Sequence, residues 1–252
     1  MQHDIKKIRV GAVSYLNTKP LLYGISRHPV AAAIELTQDY PARVAQQLMD
    51  DEIDLGLIPV AAIPRLKEHY LYTDICIGAS GPVASVCIFS EVPLEQVTRV
   101  LLDYQSRTSA LLATILLKEY WKSDAVIIRA AGEDYRSEIR GTTAALVIGD
   151  RAFEQRLRSP YIYDLAEAWQ LHTGLPFVFA GWVANKPLPD RFVAAFDEAN
   201  RQGLALLDEL LPQLHYPLYD LRSYYTKDID YRLDVKKREA LSLFLEKAAP
   251  YS

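Results

Sequence analysis

Three short stretches concentrate groups that can bind an anion or move a proton. SYLNTK, residues 14–19, follows an apolar run, so Ser14, Tyr15, Asn17 and Thr18 fall at the carboxyl end of a strand and the amino end of a helix. Backbone N–H groups left unpaired there attract negative charge. A capped turn, with Ser14 or Thr18 as the cap and Lys19 in solvent, accounts for the same residues except Asn17, which capping does not require. A second junction, LLDYQSRTSALL, places Ser106, Arg107, Thr108 and Ser109 before a helix. One hydroxyl would cap that helix, and four donors in a row favour a carboxylate or phosphate cradle. In ASGPVASV, Gly81 and Pro82 fix the backbone while Ser80 and Ser85 offer hydroxyls, either as a hinge turn or as one wall of a cleft.

Two further positions stay open. Asp150 of VIGD ends a strand, where it serves as an acid, a base or, the plainer reading, the cap of the next helix. Thr173 of HTGLPFVFAGW precedes a long apolar run and could face a cleft. The five histidines are scattered without a carboxylate at a telling spacing, and no GxSxG, Walker, HExxH or post-strand GxGxxG pattern occurs. Cys76 and Cys87 lie in apolar strand-like runs and read as reduced core thiols, so no metal site is expected. Tyr216, Tyr219, Tyr224 and Tyr225 crowd a late loop that should pack against the body.

The elements that must position these groups follow a β/α rhythm. Residues 8–13, 32–36 and 53–59 read as strands, with helices entered at Pro20 and Pro41 between them, which predicts a parallel sheet flanked by helices. The rhythm breaks at ASGP and resumes with strands at 97–102, 125–128 and 144–148 and a helix over 108–121. Another apolar strand within 176–190 leads to a helix with Phe192, Phe196, Ala199 and Gly203 on one stripe, and a final helix covers about 234–247. Breaks near Gly81 and Gly181 predict two lobes, residues 1–82 plus 182–252 and an inserted 83–181, with ligand held between them at strand carboxyl ends.

At 252 residues the chain can bury two modest cores. Its net charge of -4, with 28 basic and 32 acidic residues interspersed, offers no footprint for nucleic acid, which favours a small-molecule partner. No apolar run approaches the ~20 residues that cross a bilayer. The first residues lack an apolar leader pattern, so a cytoplasmic protein with no membrane partner is expected. Oligomeric state is not legible.

The runs VSYLNTKPL, SGPVASV, SRTSALLATILL, ALVIGDRAF and LHTGLPFVFAGW, in that order, closely resemble the chorismate dehydratase family of the futalosine route to menaquinone. The resemblance implies an α/β, two-lobed, periplasmic-binding-protein-like (type II) fold with mixed sheets flanked by helices and a ligand cleft between lobes. It also implies dehydration of chorismate to 3-enolpyruvylbenzoate without metal or organic cofactor. Carried over residue by residue, it makes Asn17 and Ser85 the catalytic-site candidates, and Ser106, Arg107, Thr108 and Ser109 carboxylate binders. Ser14, Tyr15, Ser80, Gly81, Asp150 and Thr173 complete the candidate substrate contacts. Two alternatives stand beside it: a non-catalytic binding protein or sensor for a small carboxylate, and the related dihydroxynaphthoate synthase.

Overall fold

The computed structural model describes residues 7–251. Its strands form two sheets. The first has the order β11-β4-β10-β3-β1-β2, built from β1 (Ile8–Val13), β2 (Ile34–Asp39), β3 (Leu55–Pro59), β4 (Tyr70–Ala79), β10 (Phe177–Ala184) and β11 (Asp230–Arg232). The second has the order β7-β6-β8-β5-β9, from β5 (Val86–Ser90), β6 (Arg99–Leu102), β7 (Val126–Arg129), β8 (Thr143–Ile148) and β9 (Tyr161–Asp164). In each sheet a parallel trio, β2-β1-β3 or β7-β6-β8, meets antiparallel neighbours, so both sheets are mixed.

Proline opens the first two helices, α1 (Lys19–Arg27) and α2 (Pro41–Met49), where a missing N–H costs nothing. Val44, Ala45 and Leu48 share the buried face of α2. In the second half, α3 (Arg107–Ile115) continues into a π turn, α4 (Asp150–Arg156) follows β8, and α5 (Leu165–Thr173) follows β9. The helix α6 (Asp190–Ala205) buries Phe192, Phe196, Ala199 and Gly203, and the C-terminal helix Val235–Ala248 ends close to the prediction.

The chain leaves the first sheet after Ala79 and enters the second at Val86. Phe177–Ala184 is one fully buried strand that pairs with β4 along its length and with β3 from Ala180, so the crossing back lies between Thr173 and Phe177. An apolar run buried on both faces does not reveal which sheet it joins.

The helices α1 and α6 pack backbone to backbone at two glycines. A Cβ on Gly203 would lie 1.9 Å from the Pro20 carbonyl oxygen, and one on Gly24 would lie 2.0 Å from that of Ala199. Because rigid backbone rather than a yielding side chain stands in the way, Gly203→Ala is expected to cost about 3 kcal/mol. Urea denaturation should show a lower midpoint at an unchanged slope.

Candidate active site

A cavity lies between the two sheets. From the first sheet's side it is walled by Tyr15 and Asn17, the end of β3 at Pro59, and Phe179 of β10; from the second, by Ser85, Ser106, Ser109 and Gly149. The sequence-derived candidates Tyr15, Asn17, Ser85, Ser106 and Ser109 therefore meet at one place. At about 50 Å³ the space suits a few waters, whereas pockets for small molecules run to ~300–1,000 Å³, so the walls must part to admit a substrate.

The turn that carries Tyr15 and Asn17 is held from several directions. Neither Ser14 nor Thr18 caps it; Ser14 is exposed and Thr18 is buried. The backbone N–H of Leu16 donates instead to Asp150 of α4, at 3.0 Å to Oδ1. Asp150 thus caps a turn next to the other sheet rather than its own helix, whose start has no side-chain cap. The Tyr225 hydroxyl donates to the Leu16 carbonyl at 3.1 Å and that of Tyr231 to the Asn17 carbonyl at 2.7 Å. Tyr216 reaches the Asp150 carbonyl at 2.9 Å, and Tyr219 stacks on Phe153 with ring centroids 4.4 Å apart. The late tyrosine cluster does pack against the body, and it does so across both sheets at the site.

Ser85 is held by a strained turn. Ala84 has φ 63°, a conformation that costs an L residue of order 1–3 kcal/mol and persists only when its surroundings fix it. Asp164 supplies that restraint: its Oδ2 accepts from Val83 N at 3.0 Å and Ala84 N at 2.8 Å, while Oδ1 caps α5 through Ala166 N and Glu167 N. The buried Tyr224 hydroxyl donates to Ser85 Oγ at 2.8 Å.

Three donors remain for a ligand. Thr18 Oγ1 donates to Asn17 Oδ1, and the Asn17 amide nitrogen has no protein acceptor among the described residues. Ser85 Oγ accepts from Tyr224, and its own proton is left to point elsewhere. Ser106 is the N-cap of α3: its Oγ accepts from Ser109 N and donates to Ser109 Oγ, which leaves the Ser109 proton free. Ser106 thus does the capping, and Ser109 keeps a donor unspent.

Tyr15 is fixed at both ends. Its hydroxyl donates to Gln105 Oε1, which also accepts from Arg151 at 2.9 Å, and Arg151 pairs with the fully buried Asp103 at 2.8 Å. Its ring lies against Gly149, where φ is 64° and a Cβ would come within 2.9 Å of the ring carbons. Burial pushes the Tyr15 and Tyr224 phenols well above their ordinary range, so both stay protonated and act as donors.

Other candidates lie away from the cavity. Thr108 Oγ1 accepts from Ala61 N at 3.1 Å and ties α3 to the segment after β3. Arg107 points along another face of α3 into a separate cleft. Ser80 donates to Asp230 Oδ2 at 2.7 Å on the surface, and Gly81 lies near Gln170. Thr173 donates to the Trp169 carbonyl at the end of α5. Pro59 and Phe179 as walls, and Gln105 and Asp164 as supports, were not singled out from the sequence, and Tyr224 was read there only as a packing group. Only their placement across the fold shows what they do.

No group of three or more His, Cys, Asp or Glu among the described residues could hold a metal ion, and no helix there is long and apolar enough to cross a membrane. The profile of the menaquinone biosynthesis family matches residues 8–250. The chain belongs to that family. It is 28% identical to the chorismate dehydratase of Thermus thermophilus, over 94% of this chain and 93% of that one. To the chorismate dehydratase of Campylobacter jejuni it is 26% identical, over 94% and 95% respectively.

Solved structures carry the same architecture. A protein of Archaeoglobus fulgidus superposes with a TM-score of 0.75 at 14% identity, each chain 99% covered. A Candida albicans gene product described as having the generic periplasmic binding protein fold gives 0.60 at 13%, covering 94% of this chain and 90% of that one. The periplasmic aliphatic sulphonate binding protein of Escherichia coli gives 0.57 at 16%, covering 98% and 91%. At these identities the likeness is one of fold, and the fold is periplasmic-binding-protein-like.

Proposed function

We propose that the protein removes water from chorismate to give 3-enolpyruvylbenzoate, as a carbon–oxygen hydro-lyase of menaquinone biosynthesis acting in the cytoplasm. The observation that carries this reading is the convergence of Asn17, Ser85 and Ser109, each with a spare donor, in one cavity of a chain that belongs to the menaquinone biosynthesis family. The two curated relatives bear that activity as their name. The sheets act as lobes of a clamp, the one containing β5–β9 inserted into the other.

Chorismate brings two carboxylates, which suits a cavity of hydrogen-bond donors. Its ring C3–H is activated through the conjugated ring carboxylate, and C4 carries the departing hydroxyl. As the C3–H bond breaks, its electron pair forms the C3–C4 double bond, the C4–O bond breaks, and the oxygen leaves with a proton as water. No His, Lys, Asp or Glu lines the cavity among the described residues, so the substrate's own enolpyruvyl carboxylate takes the C3 proton. Asn17 and Ser85 orient that carboxylate and the leaving hydroxyl, and Ser109 at the start of α3 holds the ring carboxylate.

The pH profile follows from the same groups. With the site phenols held protonated by burial, kcat is expected to be flat from about pH 6 to 9. Burial also raises the Asp150 carboxyl, against the Leu16 N–H that favours its charged form, so it gains its proton at higher pH than an ordinary aspartate. Protonation weakens its hold on the Asn17 turn. Activity should therefore fall as acid protonates Asp150, at higher pH than an ordinary aspartate would cause, and Asp150→Asn, which holds the turn without a charge at any pH, should lower the plateau and remove that acid limb.

Turnover is tested by incubating the full chain with chorismate and following mass and ultraviolet absorbance. Loss of one water with aromatisation supports the reading. Thermal stabilisation by chorismate without product would make the protein a binding module instead.

A further inference from the structure

We propose that a second cleft, on the neighbouring face of α3, binds a small phosphate-bearing metabolite. This goes beyond the dehydration chemistry and does not depend on it. The cleft has a volume of about 540 Å³, within the usual range for small-molecule sites. Arg65, Arg107 and Arg129 line it, and its lining contains no carboxylate among the described residues. None of the three guanidinium groups makes an ion pair or side-chain hydrogen bond to the described residues, although most other arginines of the chain do.

Three positive charges lining one cleft, with no counter-charge among the described residues, form a local positive field in a chain of net charge -4. An anion with several oxygens answers that field, and planar guanidinium groups match phosphate through paired N–H···O bonds. Leu102, Leu111 and the ring of Tyr251 supply an apolar wall for the body of a phosphate ester. Arg65 follows β3 of the first sheet, while Arg107 and Arg129 belong to α3 and β7 beside the second, so the ligand would bridge the two halves of the clamp. Thr108 and Ala61, hydrogen-bonded next to the cleft, mark the same junction.

Isothermal titration calorimetry of the full chain at low ionic strength, with pyrophosphate and with adenosine monophosphate, tests the site. At least one should bind saturably with a single site. Arg65→Gln and Arg129→Gln, from opposite walls, should each weaken it roughly tenfold. Arg191→Gln, which removes an exposed charge of the same sign elsewhere, should not. Tighter binding of the nucleotide supports a phosphate ester as the occupant, and tighter binding of pyrophosphate supports the free anion. The proposal is overturned if neither probe saturates, if both arginine variants bind as the unaltered protein does, or if Asn17→Ala weakens binding while Arg129→Gln leaves it intact.

Discussion

Asn17→Ala is expected to lower kcat for chorismate about 10²–10³-fold, the usual cost of removing one donor aimed at developing charge. The turn itself should survive. It is held through main-chain groups, by Asp150 on Leu16 N, Tyr225 on Leu16 O and Tyr231 on Asn17 O, none of which involves the Asn17 side chain. The urea midpoint should therefore stay close to that of the unaltered protein. Asn17→Asp separates orientation from charge: it keeps the shape but sets a carboxylate against an anionic substrate, so KM rises along with the loss in kcat. A variant that turned over chorismate at the original rate and affinity would remove Asn17 from the chemistry.

Asp164→Ala is expected to cost about 4 kcal/mol, at the upper end for a single substitution. The carboxylate accepts from four backbone N–H groups, and its removal leaves buried donors that each cost about 1–3 kcal/mol when orphaned, with incomplete additivity. Two of the four belong to the turn that forces Ala84 to positive φ and presents Ser85. Activity should fall further than the folded fraction alone accounts for, because Ser85 loses its fixed position. Asp164→Asn, which keeps one acceptor oxygen, should give smaller losses of both kinds. Urea titration and chorismate turnover on the same preparations check this.

How far the site is legible in the sequence depends on whether a group acts through its neighbours in the chain. Asn17, Ser106 and Ser109 sit at strand-to-helix junctions, and local spacing suffices to place them. Parallel pairing of β1, β2 and β3 follows in the same way from the alternation of strand and helix. The roles of Asp150 and Thr18 were not legible, because the cap of the turn at Leu16 comes from a residue 134 positions away. Asp164 was not read from the sequence at all: besides capping α5 it braces Val83 and Ala84, a contact that spans about 80 residues. Tyr224 and Tyr225 read as packing groups, and only the fold shows their hydroxyls fixing Ser85 and Leu16. Which sheet β10 joins was not legible, because every residue of that strand is buried.

The Arg107 side chain illustrates the reverse error. Its place in SRTS suggests a partner for Ser106 and Ser109, but successive helical residues differ by about 100° in direction, so Arg107 faces the arginine cleft while the two serines face the cavity.

The most direct test of the central claim uses chorismate carrying deuterium at ring C3, incubated with the full chain and examined by mass spectrometry. The account predicts 3-enolpyruvylbenzoate free of deuterium, formed more slowly than from unlabelled substrate when C3–H cleavage limits the rate, with the label released to water. An aromatic product that keeps the deuterium, or chorismate recovered unchanged, would contradict it.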